Sequence, residues 1–166
     1  MEKNPLSSKW CFWYTSFLKN FSYGPLSSYF STIEDFWKIY YLIPSSNPTK
    51  KVCPLDSIVD GGISLFKDGI QPIENDEKNK HRFITKTNDS ELFMKFIKYA
   101  ISGKIDSINS MFNGVYSSRK KAGNKYLCQV ELWFDHVGNI DELRTKLEEE
   151  FGIKIIQVRQ CKKISN

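Results

Sequence analysis

From Lys9 to Thr15 the chain runs Lys-Trp-Cys-Phe-Trp-Tyr-Thr, an aromatic and β-branched stretch that predicts a strand. Residues 16–31 are rich in Ser, Tyr and Phe, are broken at Gly24-Pro25, and predict a loop. Ser31-Thr32 then precede Glu34 and Asp35, whose oxygens and charges suit the free N–H groups of a helix start. That helix carries Phe36, Trp37, Tyr40 and Tyr41 and ends near Leu42, ahead of Pro44. Residues 44–60 hold three prolines with Ser, Asn and Asp, the composition of a connection.

A second set of alternations follows. Gly62 to Phe66 predicts a strand, Lys67-Asp68-Gly69 a turn, 70–80 a long exposed loop, and Arg82 to Thr87 a returning strand. Asn88-Asp89-Ser90 cap a helix from Glu91 to about Ser102, with Leu92, Ile97, Ala100 and Ile101 on its apolar side. Tyr116–Ser118 and Tyr126–Phe134 predict a hairpin around Ala122-Gly123-Asn124. In its second arm Lys125, Leu127, Gln129, Glu131 and Trp133 share one face. Asp141–Phe151, with Leu143, Leu147 and Phe151 four apart, predicts a third helix, and Ile153–Val158 a closing strand. Three helices interrupting antiparallel strands define an α+β layer.

Composition fits one domain over 1–166, with a short arm at 1–8 and a tail at 160–166 expected to be flexible. A hydrophobic share of 40%, with 14% aromatic, is ample for one core. The longest apolar runs, such as Ile39–Ile43, are far too short to cross a bilayer. Met1-Glu2-Lys3-Asn4-Pro5 lacks the pattern of a secretory signal, so no membrane or export route is expected. Cys11, Cys53, Cys128 and Cys161 lie far apart and form neither a metal motif nor a disulfide framework, so a reduced intracellular compartment is expected. 

The net charge of +5 gathers in Arg119, Lys120, Lys121 and Lys125, and again in Arg159, Lys162 and Lys163. Such clusters suit a polyanion; a solubilising surface would look the same. His81 and His136 fall in polar loops, and no Cys or Ser sits beside an activating motif. The expectation is a binding protein without catalytic residues, metal or cofactor.

Several stretches resemble the mRNA cap-binding translation-initiation factor 4E family. Asn4-Pro5-Leu6 with Trp10 and Trp13 is similar to its His-Pro-Leu and W-x-x-W strand, and Ser31–Trp37 to its [ST]-[VI]-E-x-F-W helix. Leu65–Pro72 resembles its "LFKDGIEP", followed by Asp76-Glu77-Lys78-Asn79-Lys80, and Asn113-Gly114-Val115 with Lys120–Lys125 resembles its "NGV…RxGGNK" hairpin. The resemblance implies a curved antiparallel sheet with three helices on its convex face, like a cupped hand. It also implies a concave site for a methylated guanine and its phosphates, and a dorsal site for a scaffold peptide.

Carried over residue by residue, the resemblance puts Phe21 or Tyr23 at the first stacking position, where the family has tryptophan. The second stacking position and the following acid fall on Glu74 and Asn75, or, with a slip of one, on Ile73 and Glu74. Gln129 stands at a third tryptophan position. Trp133, on the same face, is assigned to the core or the rim of the sheet. Arg82, Arg119, Lys120 and Lys125 match the phosphate side. Dorsally, Trp37 matches the scaffold-binding tryptophan, with Pro5, Ile33, Met94 and Lys95 bordering its groove. The resemblance implies two partners, the 5′ end of an mRNA and a scaffold bearing a Tyr-x-x-x-x-Leu-hydrophobic motif. The eroded base pocket leaves open an atypical 5′ end, or a decoy that retains only the dorsal surface.

Overall fold

The computed structural model describes residues 2–43, 60–87 and 91–164. The connection expected at 44–60, all but its last residue, and the cap expected at 88–90 lie outside them. The chain order is β1 (Pro5–Ser16), β2 (Ser22–Pro25), β3 (Phe30–Thr32), α1 (Ile33–Leu42), β4 (Gly61–Lys67), β5 (His81–Thr87), α2 (Glu91–Ile101), β6 (Phe112–Ala122), β7 (Lys125–Phe134), α3 (Ile140–Phe151) and β8 (Gln157–Gln160). Seven strands run β2-β1-β4-β6-β7-β5-β8 in one antiparallel sheet, and β3 pairs separately with β1.

The pleat sorts the side chains into two layers, because successive residues of a strand face opposite sides. Phe12, Leu65, Phe83, Val115, Val130, Leu132 and Phe134 face the helices and join Phe36 of α1, Phe93, Phe96 and Ile97 of α2, and Leu147 and Phe151 of α3 in the main core. Burying each such side chain is worth about 1.5–3 kcal/mol. Cys11, Trp13, Phe66, Tyr116 and Trp133 form a second, smaller cluster on the other side of the sheet. This second layer floors the candidate site.

Local chemistry sets the element ends. The Thr32 side chain caps α1 by accepting from the Asp35 N–H, and Asn139 caps α3 by accepting from Glu142 at 3.0 Å. Gly152 ends α3 with φ 62°, a left-handed conformation that costs glycine nothing. Gly114 serves a close approach: a Cβ there would lie 2.5 Å from the Leu65 carbonyl oxygen of the adjacent strand.

The structure revises several expectations. The loop expected at 16–31 contains β2 and β3, whose short runs carry little periodicity. The first hairpin arm extends far beyond Tyr116–Ser118, from Phe112 to Ala122. The closing strand sits at Gln157–Gln160 rather than Ile153–Val158, because Ile155 is buried in the core before pairing begins. His81 opens β5 instead of lying in a loop. The arm is tethered, with Asn4 N–H donating to Glu34 and Lys3 pairing with Asp35 at 2.8 Å. The tail is tethered too, Cys161 N–H donating to the Lys80 carbonyl at 2.8 Å.

Candidate functional site

The side of the sheet away from the helices holds a cavity of about 500 Å³. One wall is the segment between β4 and β5, and its shape depends on Asn79, which is wholly buried. The Asn79 amide donates to the Gln71 and Ile73 carbonyls at 2.8 and 2.9 Å and accepts from the Asn113 amide at 3.0 Å. Asp76 accepts from the Gln71 and Lys78 N–H groups at 2.8 and 2.9 Å. The loop expected to be exposed is therefore pinned at both ends, and Pro72, Ile73, Glu74 and Asn75 are presented to the cavity.

The floor is aromatic. Tyr116 and Trp133 stack at 5.2 Å and 28°, and Phe66 meets the indole edge-on at 5.4 Å. Burial raises the Tyr116 hydroxyl to about 12, so it remains a neutral donor. At the rim, Phe21 stacks on Tyr23 at 6.0 Å, and Tyr23 leans on Trp13 at 6.2 Å and donates its hydroxyl to Gln71 at 3.2 Å. Phe21 is half exposed, with 52% of its surface open.

Beneath the floor lies Glu131, only 1% exposed. It accepts the Trp133 indole N–H at 2.7 Å and the Gln129 amide at 2.5 Å. Arg82 lies 3.5 Å from Glu131 and also pairs with Glu74, so one guanidinium bridges two carboxylates. The same guanidinium lies 5.5 Å from the Trp133 ring centroid. Burial pushes the Glu131 carboxyl above its ordinary value, with Arg82 pulling the other way.

Arg82 and Tyr116 also line a second cavity of about 390 Å³. Pairing explains its contents: Lys86 lies opposite Gln129, Arg82 opposite Arg159, and Lys120 opposite Leu127, all on the face of Glu131. Lys120 sits over the Phe17 ring at 4.7 Å. Four cations and the Glu131 carboxylate thus line a pocket that shares Arg82 and Tyr116 with the aromatic chamber.

Phe21, Tyr23, Glu74 and Asn75 come together around the first cavity. Arg82 joins both cavities, while Lys120 and Gln129 line the second, where Gln129 supports Glu131. Two assigned cations fall elsewhere. Arg119 sides with Cys128 on the helix face and stacks on Tyr126 at 3.7 Å. Lys125 pairs with Ala122 at the hairpin tip, outside both cavity linings. Trp133 is buried but floors the cavity. Tyr116, Lys86 and Ile164 were not singled out for this site by sequence, and Arg159 and Lys162 only as members of a basic cluster. Alternation along β5 from Arg82 would have flagged Lys86; the tail's only signal was its basic charge.

On the helix side, Trp37 is half-buried, edge-on to Phe36 at 4.9 Å and to Tyr40 at 5.7 Å. Ile33 and Pro5 are exposed nearby in sequence and pairing, Pro5 lying opposite Thr32 at the α1 cap. Met94 packs partly against the core. Lys95 turns to the C-terminus of α3, donating to the Phe151 carbonyl at 3.0 Å. That contact satisfies a free helix carbonyl and suits the helix dipole.

Comparison with known proteins follows the same lines. The family profile described as Eukaryotic initiation factor 4E matches residues 5–165. Eukaryotic translation initiation factor 4E of Saccharomyces cerevisiae is 32% identical over 137 residues, 75% of this chain and 60% of that protein. The Candida albicans protein of the same name is 29% identical over 178 residues, covering 98% of this chain and 78% of its own. The chain thus aligns with less than two thirds of the yeast relative. Among solved structures, Caenorhabditis elegans eIF4E-3 with the 4E-binding protein Mextli superposes with a TM-score of 0.70 at 20% identity, covering 96% of this chain and 93% of that one. Ascaris suum eIF4E-3 with an m7G cap gives 0.70 at 19% identity, over 92% and 86%.

Proposed function

The chain belongs to the Eukaryotic initiation factor 4E family, and from that premise we propose that it binds the 5′ end of mRNA in the sheet cleft and recruits a scaffold protein through its helix side. One observation carries the reading. An aromatic chamber of about 500 Å³ adjoins a largely cationic chamber of about 390 Å³, the two sharing Arg82 and Tyr116 in their walls. A nucleotide has the same two halves: an apolar, π-faced base and a polyanionic chain. The base enters above Tyr116 and Trp133, with Phe21 or Tyr23 as the rim ring and Glu74 or Asn75 as hydrogen-bond acceptor. The phosphates meet Arg82, Lys86, Lys120 and Arg159.

Phe21 and Tyr23 stack less strongly than indoles, and the wall opposite them, Pro72 and Ile73, is aliphatic. This one-sided sandwich favours a 5′ end with more to offer than a lone methylguanine: a differently modified cap or methylated first nucleotides. On the helix side Trp37, with Ile33, Pro5 and Met94, anchors the scaffold motif; Lys95 contributes from the border. The protein acts as a cytoplasmic binding factor, with no reaction at the site. The C. elegans protein of the same fold was solved with a 4E-binding protein, which favours a protein partner for this chain as well.

Calorimetric titration with 7-methylguanosine triphosphate, GTP and short RNAs with and without capped, methylated 5′ ends tests the reading. Tighter binding of a capped RNA than of the same RNA with a 5′ triphosphate is expected. Equal binding of both, or none, would overturn it.

A further inference from the structure

The acceptors facing the first cavity are already occupied by the chain's own C-terminus. Glu74 gives one carboxylate oxygen to Arg82, and the other accepts the Lys162 N–H at 3.4 Å. The Asn75 side-chain oxygen accepts the Ile164 N–H at 3.1 Å. Between these two, the Lys163 ammonium donates to the carbonyls of Glu74 at 2.8 Å, Asn79 at 2.5 Å, and Asp76. An ammonium has three donors, and all three are spent on the 74–79 loop. Lys162 and Ile164 also line the cavity itself.

We propose that residues 161–164 are an internal competitor, a strap whose backbone N–H groups fill the acceptors that would otherwise read the donor edge of a purine base. Lys163 is the fastener that holds the strap in register, and Cys161, bonded to Lys80, is its hinge. Two backbone donors spaced two residues apart supply N–H groups to Glu74 and Asn75, as a guanine edge would. Ile164 lines the space a base would enter, and the residue is 73% exposed. The strap is therefore poorly held by burial and held by hydrogen bonds. The two backbone ones to Glu74 and Asn75 can be replaced by a ligand donating to the same oxygens, while those of Lys163 must break. Opening the base site then requires displacement of the strap, and apparent affinity is lowered by the fraction of molecules in which it is closed.

This inference rests on the reading of the cavity as a base site, and the test separates the two. Titration of a short capped RNA with methylated first nucleotides into the full chain is compared with a chain ending at Cys161 and with Lys163→Met. Hydrogen exchange follows the Lys162 and Ile164 amides in the full chain. The strap predicts affinity raised about tenfold in the shortened chain, and raised less in Lys163→Met. It also predicts that both amides are protected in the free chain and lose protection when ligand is added. Equal or weaker binding by the shortened chain, with the full chain still binding, would overturn the strap and leave the base site standing. Amides that stay protected in the complex would overturn it as well. No binding by any of the three chains would overturn the base site, and the competitor with it.

Discussion

Glu131 accepts the indole N–H of Trp133, two residues further along β7, at 2.7 Å beneath the cavity floor. The period of a strand puts both side chains on one face, so the bond fixes the indole plane against Tyr116. A carboxylate this deep is costly unless paired, and the Arg82 guanidinium that offsets it also holds Glu74 at the cavity wall. The floor, the wall and the boundary between the chambers thus share one network.

That network should give stability a particular dependence on pH. Burial raises the Glu131 carboxyl above its ordinary value near 4.5. The folded state therefore favours the protonated form. Its contribution is fully present below the unfolded value and is lost as pH rises through the folded one. Glu131→Gln cannot ionise and escapes that loss. Urea unfolding from about pH 4 to about pH 7 should show the variant gaining stability relative to the natural chain as pH rises. A relative loss over the same window would mean that attraction to Arg82 outweighs burial.

Asn79→Ala removes a wholly buried amide that makes three side-chain bonds. Partners left unsatisfied cost about 1–3 kcal/mol. A lower urea midpoint is expected, with weaker binding of a capped nucleotide because Glu74 and Asn75 lose their mount. Unchanged stability would show that the loop is held by other contacts, such as those of Asp76.

Truncation of Trp37 addresses the helix side. Aromatic anchors at the centre of small interfaces cost about 2 kcal/mol or more when removed, roughly thirtyfold in affinity. Trp37→Ala should lose a Tyr-x-x-x-x-Leu-hydrophobic peptide to at least that extent by fluorescence anisotropy, while still binding a capped nucleotide. Because Trp37 packs on Phe36 and Tyr40, a thermal melt must accompany the measurement. Peptide binding that survives in the folded variant would contradict its role.

The cations divide by position. Lys86→Ala or Arg159→Ala, inside the second chamber, should each weaken binding of a nucleoside triphosphate about fivefold, roughly 1 kcal/mol. Arg119→Ala and Lys125→Ala, on the far face and at the hairpin tip, should change it by less than about twofold. The reverse order would show that the hairpin closes over the ligand.

Most of the architecture was legible because it is written in period. The three helices, four of the strands and the shared face of Lys125 through Trp133 follow from spacing and caps. What escaped were features set by partners distant in sequence. Strands β2 and β3 exist because β1 offers them an edge. Arg119 and Lys120 look alike in sequence, yet the pleat sends them to opposite faces. Motif correspondence ignored that alternation, and assigning Trp133 to the core or the rim of the sheet did not show that a second buried layer floors a cavity. The tail resisted reading most, since hydrogen bonds from its backbone and from Lys163, to residues more than eighty positions away, hold it there.

The division of the site into a base chamber and a phosphate chamber is tested most directly by calorimetry with 7-methylguanosine and 7-methylguanosine triphosphate. Both ligands are titrated into the natural chain and into a Lys86→Ala/Lys120→Ala variant. The natural chain should bind the triphosphate at least about tenfold more tightly than the nucleoside, and the variant should lose most of that difference while keeping its weaker nucleoside affinity. Equal affinity for both ligands in the natural chain, or a phosphate preference untouched in the variant, would contradict it.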